Sequence, residues 1–414
     1  MMIELDLSNV LNNDDYIVKK YCGLYIIKYK KDLLNESNIK TMGLYRSVIT
    51  DGENILSFAP PKSINYNSFI ENNDFQDCNI SEFVDGTMIN LFYNTKNVNK
   101  NGKSQPKWEI ATKSNIGADC RFNLDVKKTF RDMFFDACVS DTCDADEFYR
   151  NLNKQYCYSF VLQHPENRIV KNIEKPQLYL TNVFHCYKNT VENINIYCKL
   201  ENGEFYISQH INYPRTIQNI FNNVNSWEYI NLLCSGNQID HNFKGFVIYN
   251  NSNQRTKILN IEYEKIKRLK VNSPKLQYQF LELYKSNKLN EYLKYFPEHK
   301  EIFKIFQEKF YSWTETIYNL YIDCFIEKKK YLKECLYEYK PILYNLQKYY
   351  IEDLQPNQKK VNFTYLKKYV KTIPTEKIMF SMNYNHRVSD NIDDEVSEII
   401  SEQVSEQVSE ACES

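Results

Sequence analysis

The chain predicts an α+β protein in which antiparallel strand pairs come first and helices follow. Up to about Glu262, short runs alternate apolar and polar side chains and are broken by Gly, Asn, Asp and Pro, the period-2 pattern of half-buried strands joined by turns. From Glu262 to Tyr350, apolar and aromatic residues recur three and four apart instead, which lines one face of a helix. The ending EVSEIISEQVSEQVSEACES repeats acid, hydrophobe and serine and predicts a disordered acidic tail. The expected division is a strand-rich domain over 1–262, a helical domain over 263–385 and the tail over 386–414.

The elements follow in order. YCGLYIIKYKK at 21–31 predicts an edge strand with its lysines exposed. MGLYRSVITDGENILSFAPPKSINY at 42–66 holds two apolar runs hinged on Asp51 and Gly52, a hairpin signal that stops at Pro60 and Pro61. SEFVDGTMINLFYN (81–94) and KWEIATKSNIGA (107–118) predict a second hairpin, with Thr87 to Tyr93 and Trp108 to Thr112 as its strands. Phe130, Met133, Phe134 and Ala137 share one helical face. YCYSFVLQ at 156–163 predicts a strand that runs into the turn His164-Pro165-Glu166-Asn167, LYLTNVFHCY at 178–187 another, and 194–208 a hairpin about Asn202 and Gly203. The helices of the region after Glu262 are bounded by Pro274, Pro297 and Pro341 and end with YLKKYVKTIP at 365–374.

Composition narrows the function classes. The 414 residues suffice for two or three domains at roughly 150 residues each. Net charge is near zero, yet nine of the 53 acids and no base lie from Asp390 onward, so residues 1–389 set 44 acids against 52 bases. A surplus of this size fits a polyanionic partner without requiring one, since scattered lysines are more often solvated surface charges. The twelve cysteines lack CxxC spacing, and the closest pair, Cys138 and Cys143, lacks the further ligands of a zinc site. They are expected to be reduced, with no disulfide-linked partner. No signal peptide and no apolar run of about 20 residues is present, so a cytoplasmic protein without membrane association is expected. His164 has the free pKa of an acid-base catalyst, but a histidine beside a proline in a turn is more often structural.

Four stretches, EFVDGTMIN, WEIATKSNIGA, YSFVLQHPENRIV and PKLQYQFL, resemble the phage-type (tRNA-repair) RNA ligase family, and in particular ligase-like proteins of large DNA viruses. The resemblance covers residues 40–270 by motif order and extends more loosely to about 380. It implies a nucleotidyltransferase core of antiparallel sheets with helices, an all-helical C-terminal domain, and a viral protein of the host cytoplasm. In that family a KxDG turn supplies the lysine that accepts the nucleotide. Here those four positions are Phe83, Val84, Asp85 and Gly86. An acid of the family's strand falls at Val161, seven places before Arg168, and the acid of its EGxV strand falls at Lys244. What the resemblance retains is Arg46, Lys62, Asp85, Gly86, Lys113, Arg168 and Lys257 as nucleotide or phosphate contacts, with Asn260 near a second lysine position. No catalytic residue and no metal ligand is assigned.

Three readings stay open. The core binds RNA or nucleotide after losing adenylyl transfer; or it is an ATP- and magnesium-dependent RNA ligase with a relocated nucleophile, Lys62 or another lysine; or it is a virion or scaffold protein that reuses the fold for protein contacts.

Overall fold

In the computed structural model, residues 2–97, 105–123, 125–138, 145–150, 152–196, 211–236, 238–271 and 273–384 are described. The expected hairpin about Asn202 and Gly203, the acidic tail and Cys143 lie outside them. The chain divides into two compact units, Met1–Arg268 and Leu269–Ser414.

The first unit is built on three sheets. In chain order the strands are β1 (Met2–Glu4), β2 (Tyr16–Tyr21), β3 (Leu24–Tyr29), β4 (Val48–Thr50), β5 (Ile55–Phe58), β6 (Cys78–Glu82), β7 (Thr87–Asn94), β8 (Lys107–Ala111), β9 (Tyr156–Gln163), β10 (Gln177–Tyr187), β11 (Thr190–Ile194), β12 (Ile211–Asn212), β13 (Gly245–Asn250) and β14 (Arg255–Leu259). The largest sheet runs β1-β11-β10-β9-β7-β8, with β12 pairing β10; the others run β14-β13-β6 and β2-β3-β4-β5. Every pairing is antiparallel except β10 with β12.

Alternation along β7 explains the layering. Ile89 and Leu91 enter a core closed by the helix Phe130–Cys138, together with Ile110, Phe134, Phe160 and Leu162. Phe92 faces the other way, into a core shared with Ile26, Val48, Phe58 and Ala111. The large sheet is thus apolar on both faces, one against a helix and one against the four-stranded sheet. The three-stranded sheet has its own core of Ile80, Phe246 and Ile248 against Phe69, Ile230 and Leu233.

The hairpins on Asp51-Gly52 and between β7 and β8 form as expected, the latter pairing Leu91 with Ile110 and Phe92 with Glu109. One expectation is corrected. The strand in 21–31 is not an edge, because β3 pairs with both β2 and β4. The edge is β2, whose Lys19 and Lys20 stay exposed, while β3 is almost wholly buried.

In the second unit the helices Leu276–Lys285, Lys300–Tyr321, Lys340–Tyr349, Phe363–Thr372 and Thr375–Met382 bury the stripes that the sequence spaced three and four apart, including Phe280, Phe303, Trp313, Ile317, Leu343, Leu366 and Ile378. Pro341 sits in the first turn of its helix, where its missing N–H costs nothing. The helix Thr375–Met382 follows the one expected to be last, because Pro374 ends one helix and opens the next. No described helix is long and apolar enough to cross a membrane.

Candidate functional site

Residues 83–86 cross from β6 of the three-stranded sheet to β7 of the large sheet, so Phe83 sits where two sheets meet. The crossing is pinned at both ends. Phe83 N–H donates to the Gly245 carbonyl at 2.8 Å. Gly86 adopts φ +151°, and a Cβ there would collide with the Leu162 carbonyl and with Val161, so only glycine fits.

Asp85 holds the crossing in place. Its carboxylate is 5% exposed and accepts from Tyr263 Oη at 2.6 Å and from the amides of Val170 and Lys171 at 3.1 and 3.2 Å, while Lys244 Nζ lies 3.6 Å away. Gln163 Nε2 donates to its carbonyl at 2.7 Å. Each carboxylate oxygen is therefore taken by the protein itself. The Tyr263 hydroxyl is held protonated well above its usual range by burial and by this carboxylate.

Beside the crossing lies a cleft of about 500 Å³ whose walls carry Lys31, Arg46, Lys62, Lys113, Arg255 and Lys257, with Glu36 as the one acid. Among the described residues, none of these six cations has a carboxylate within 4.0 Å. Arg46 donates to the Pro60 carbonyl at 3.2 Å and Arg255 to Ser63 Oγ at 2.6 Å; Lys113 rests 5.3 Å from the centre of the Tyr29 ring. Burial and repulsion lower the proton affinities of three of the cations: Arg46 to about 10 through burial and Arg255, Lys113 to about 8 through burial, Arg46 and Lys31, and Lys257 to about 8 through burial, Arg255 and Lys62. Lys62 is lowered by burial, Arg46 and Arg255. Arg255 is 8% exposed and its Nε has no hydrogen-bond partner among the described residues.

Arg46, Phe83 and Arg255 also line a smaller cavity of about 170 Å³, which reaches Val161, Thr181, Asn182, Lys244 and Tyr249. Phe83, Val161 and Lys244, singled out together in the sequence, thus line one cavity. Glu82, on the same wall, is bound by Arg215 at 2.8 Å. The Phe83 ring is surrounded by cations, with Lys244 Nζ 4.0 Å from its centre, Lys257 Nζ at 5.6 Å and the Arg255 guanidinium at 5.7 Å. Burial, partly offset by Asp85, lowers Lys244 to about 8.

Of the residues singled out in the sequence, Arg46, Lys62, Lys113 and Lys257 meet in the cationic cleft. Asp85 and Gly86 form the crossing. Arg168 lines neither cavity, and its Nε donates to the Val170 carbonyl at 3.0 Å. Asn260 is buried and donates to the carbonyls of Ile239, Asp240 and Phe243. His164 is a turn residue, its Nδ1 accepting from the Glu166 amide at 3.1 Å and its Nε2 lying 3.1 Å from Asp136. Lys31 and Arg255 were not anticipated. Arg255 was findable, since it stands two residues before Lys257 on one strand and so shares its face.

No protein-family model and no curated protein matches the chain. Among solved structures it is similar to a putative ATP-dependent DNA ligase from Aquifex aeolicus, at 14% identity and TM-score 0.39 over 73% of this chain and 75% of that one. It is also similar to an archaeal ATP-dependent RNA ligase, at 13% identity and TM-score 0.37 over 71% of this chain and 67% of that one.

Proposed function

We propose that the first unit is a ligase-like nucleotidyltransferase-fold module that binds RNA or nucleotide through the cationic cleft and no longer transfers an adenylyl group at position 83. The observation that carries this is the convergence of Lys31, Arg46, Lys62, Lys113, Arg255 and Lys257 on one cleft without paired acids. Such an arrangement is electrostatically costly when empty and is relieved by an anion. Phenylalanine at 83 has no lone pair to attack phosphorus. Titrating labelled single-stranded RNA across salt concentrations tests the reading. Affinity should fall with a log-log slope of about −0.7 per neutralised phosphate. Salt-insensitive binding, or binding of neither the RNA nor ATP, would sink it.

A second reading is favoured by one specific contact. If a lysine has taken over as nucleophile, Lys244 is the better placed, because its amine lies over the Phe83 ring, beside Asp85, inside the smaller cavity. Lys62 lines the larger cleft alone. In that reading Nζ, having lost a proton to solvent, attacks the α-phosphorus of ATP; a P–N bond forms, the P–O bond to the β-phosphate breaks, pyrophosphate leaves, and the nitrogen gives a second proton to solvent to become the neutral phosphoramidate. Incubation with ATP labelled in its α-phosphate, followed by denaturing electrophoresis, distinguishes the two. Covalent label that Lys244→Ala removes and Lys62→Ala leaves would establish transfer at Lys244; a chain without label is the expected result of the first reading.

A further inference from the structure

The cleft differs from a metal-assisted phosphate site in which side chains face it. Magnesium is held by carboxylate oxygens and keeps several waters. Among the described residues Glu36 is the one acid on the larger cleft, Glu82 on the smaller cavity is paired with Arg215, and both oxygens of Asp85 are committed to Tyr263, Lys244 and two backbone amides. Positive charge comes instead from six side chains, and Arg255, which lines both cavities, holds a buried Nε–H that nothing in the described chain accepts. A buried donor without a partner is rare in a folded protein. A hydrated divalent cation would add charge to a set already repelling itself.

We infer that the cleft takes an oligophosphate stripped of its divalent cation, with Arg46, Lys62, Lys113, Arg255 and Lys257 neutralising the phosphate chain in place of a metal. This rests on the anion-binding reading above and adds the chemical state of the ligand. The phosphate chain has two sources, a free nucleoside triphosphate or the 5′-triphosphate end of an RNA. In either case magnesium competes with the protein for the same oxygens, so it weakens binding.

The test is calorimetric titration of the full chain with inorganic triphosphate, first in EDTA and then in excess magnesium. Binding in EDTA that excess magnesium weakens by about threefold or more is the expected result. Affinity that magnesium leaves unchanged or raises overturns the inference while leaving the anion-binding reading intact. Failure of triphosphate, ATP and RNA alike to bind in either buffer overturns both. To separate the sources, an RNA with a 5′-triphosphate is compared in EDTA with the same RNA carrying a 5′-hydroxyl. A preference of about tenfold for the triphosphate end assigns the cleft to RNA ends; equal binding of the two, with ATP bound independently, assigns it to free nucleotide. Arg255→Gln should lower triphosphate affinity by about tenfold, and because Arg255 also holds Ser63, Lys257→Gln on the open wall serves as the second variant.

Discussion

Asp85 and Arg255 are both charged, both more than nine-tenths buried and both beside Phe83, yet they stand in opposite conditions. Asp85 has a donor at each oxygen and a cation at 3.6 Å. Among the described residues Arg255 has no carboxylate partner and its Nε no acceptor, with Arg46 and Lys257 as like-charged neighbours. A buried charge whose bonds are all made within the chain fixes conformation. One whose bonds are left open is available to a ligand. On the reading proposed above, the motif that most resembles a catalytic signature is therefore the structural half of this site, and binding falls to residues outside it.

Removing the structural half should have the largest effect. Asp85→Asn leaves Lys244 without its counter-ion and weakens the bonds to Tyr263, Val170 and Lys171, with an expected loss of about 3 kcal/mol in unfolding free energy, measured as a lower urea midpoint. That figure is at the low end for a broken buried pair because Lys244, already lowered to about 8, can shed its proton. Adding Lys244→Met should recover part of the loss, and Tyr263→Phe alone should cost about 1 kcal/mol. An Asp85→Asn protein as stable as the parent would show that the carboxylate is not the anchor described here.

The same contrast governs what the sequence revealed. Hairpins and helical stripes were legible because period and turn residues are local: Asp51-Gly52 sets one hairpin, and alternation in β7 and β8 sets the other. The edge strand was misplaced because β2, YIVKKY, carries two lysines and reads as polar, although pairing with β3 makes it a strand. Arg46, Lys62, Lys113 and Lys257 were singled out through order along the chain, and folding brings them to one cleft. The partners of Asp85 were illegible, since Tyr263 is 178 residues away and its bond depends on how a helix packs under a turn. Lys31 was hidden for a similar reason: only the packing of the segment after β3 against Lys62 and Lys113 brings it to the cleft.

Removing a cation from the binding half should do the reverse of Asp85→Asn. Lys257→Gln deletes a repelling charge and breaks no ion pair among the described residues, so stability should stay within about 0.5 kcal/mol of the parent or rise. RNA affinity should fall by about threefold to tenfold, and the salt slope should flatten by about one phosphate contact. A loss of stability comparable to that of Asp85→Asn would erase the distinction between the two halves.

The smallest effect, and the one that isolates repulsion, is on pH. Lys113 and Lys257 have folded pKa values near 8, set by burial and by Arg46, Arg255 and their lysine neighbours, against about 10.5 for a lysine in the unfolded chain. Between those values the unfolded chain binds more protons than the folded one, so unfolding free energy rises with pH. The two lysines therefore stabilise the ligand-free protein more at pH 9.5 than at pH 8, while the cysteines and tyrosines of the unfolded chain, which ionise over the same range, work against them. Their share is read as the difference from the Lys113→Gln, Lys257→Gln double variant, whose melting temperature should fall behind the parent's as the pH goes from 8 to 9.5; saturating triphosphate should invert that difference, because a bound anion raises both pKa values and is lost as the lysines deprotonate. If the double variant instead gained on the parent across that range, the cations would be paired rather than mutually repelled, and the cleft would have no excess charge to offer a ligand.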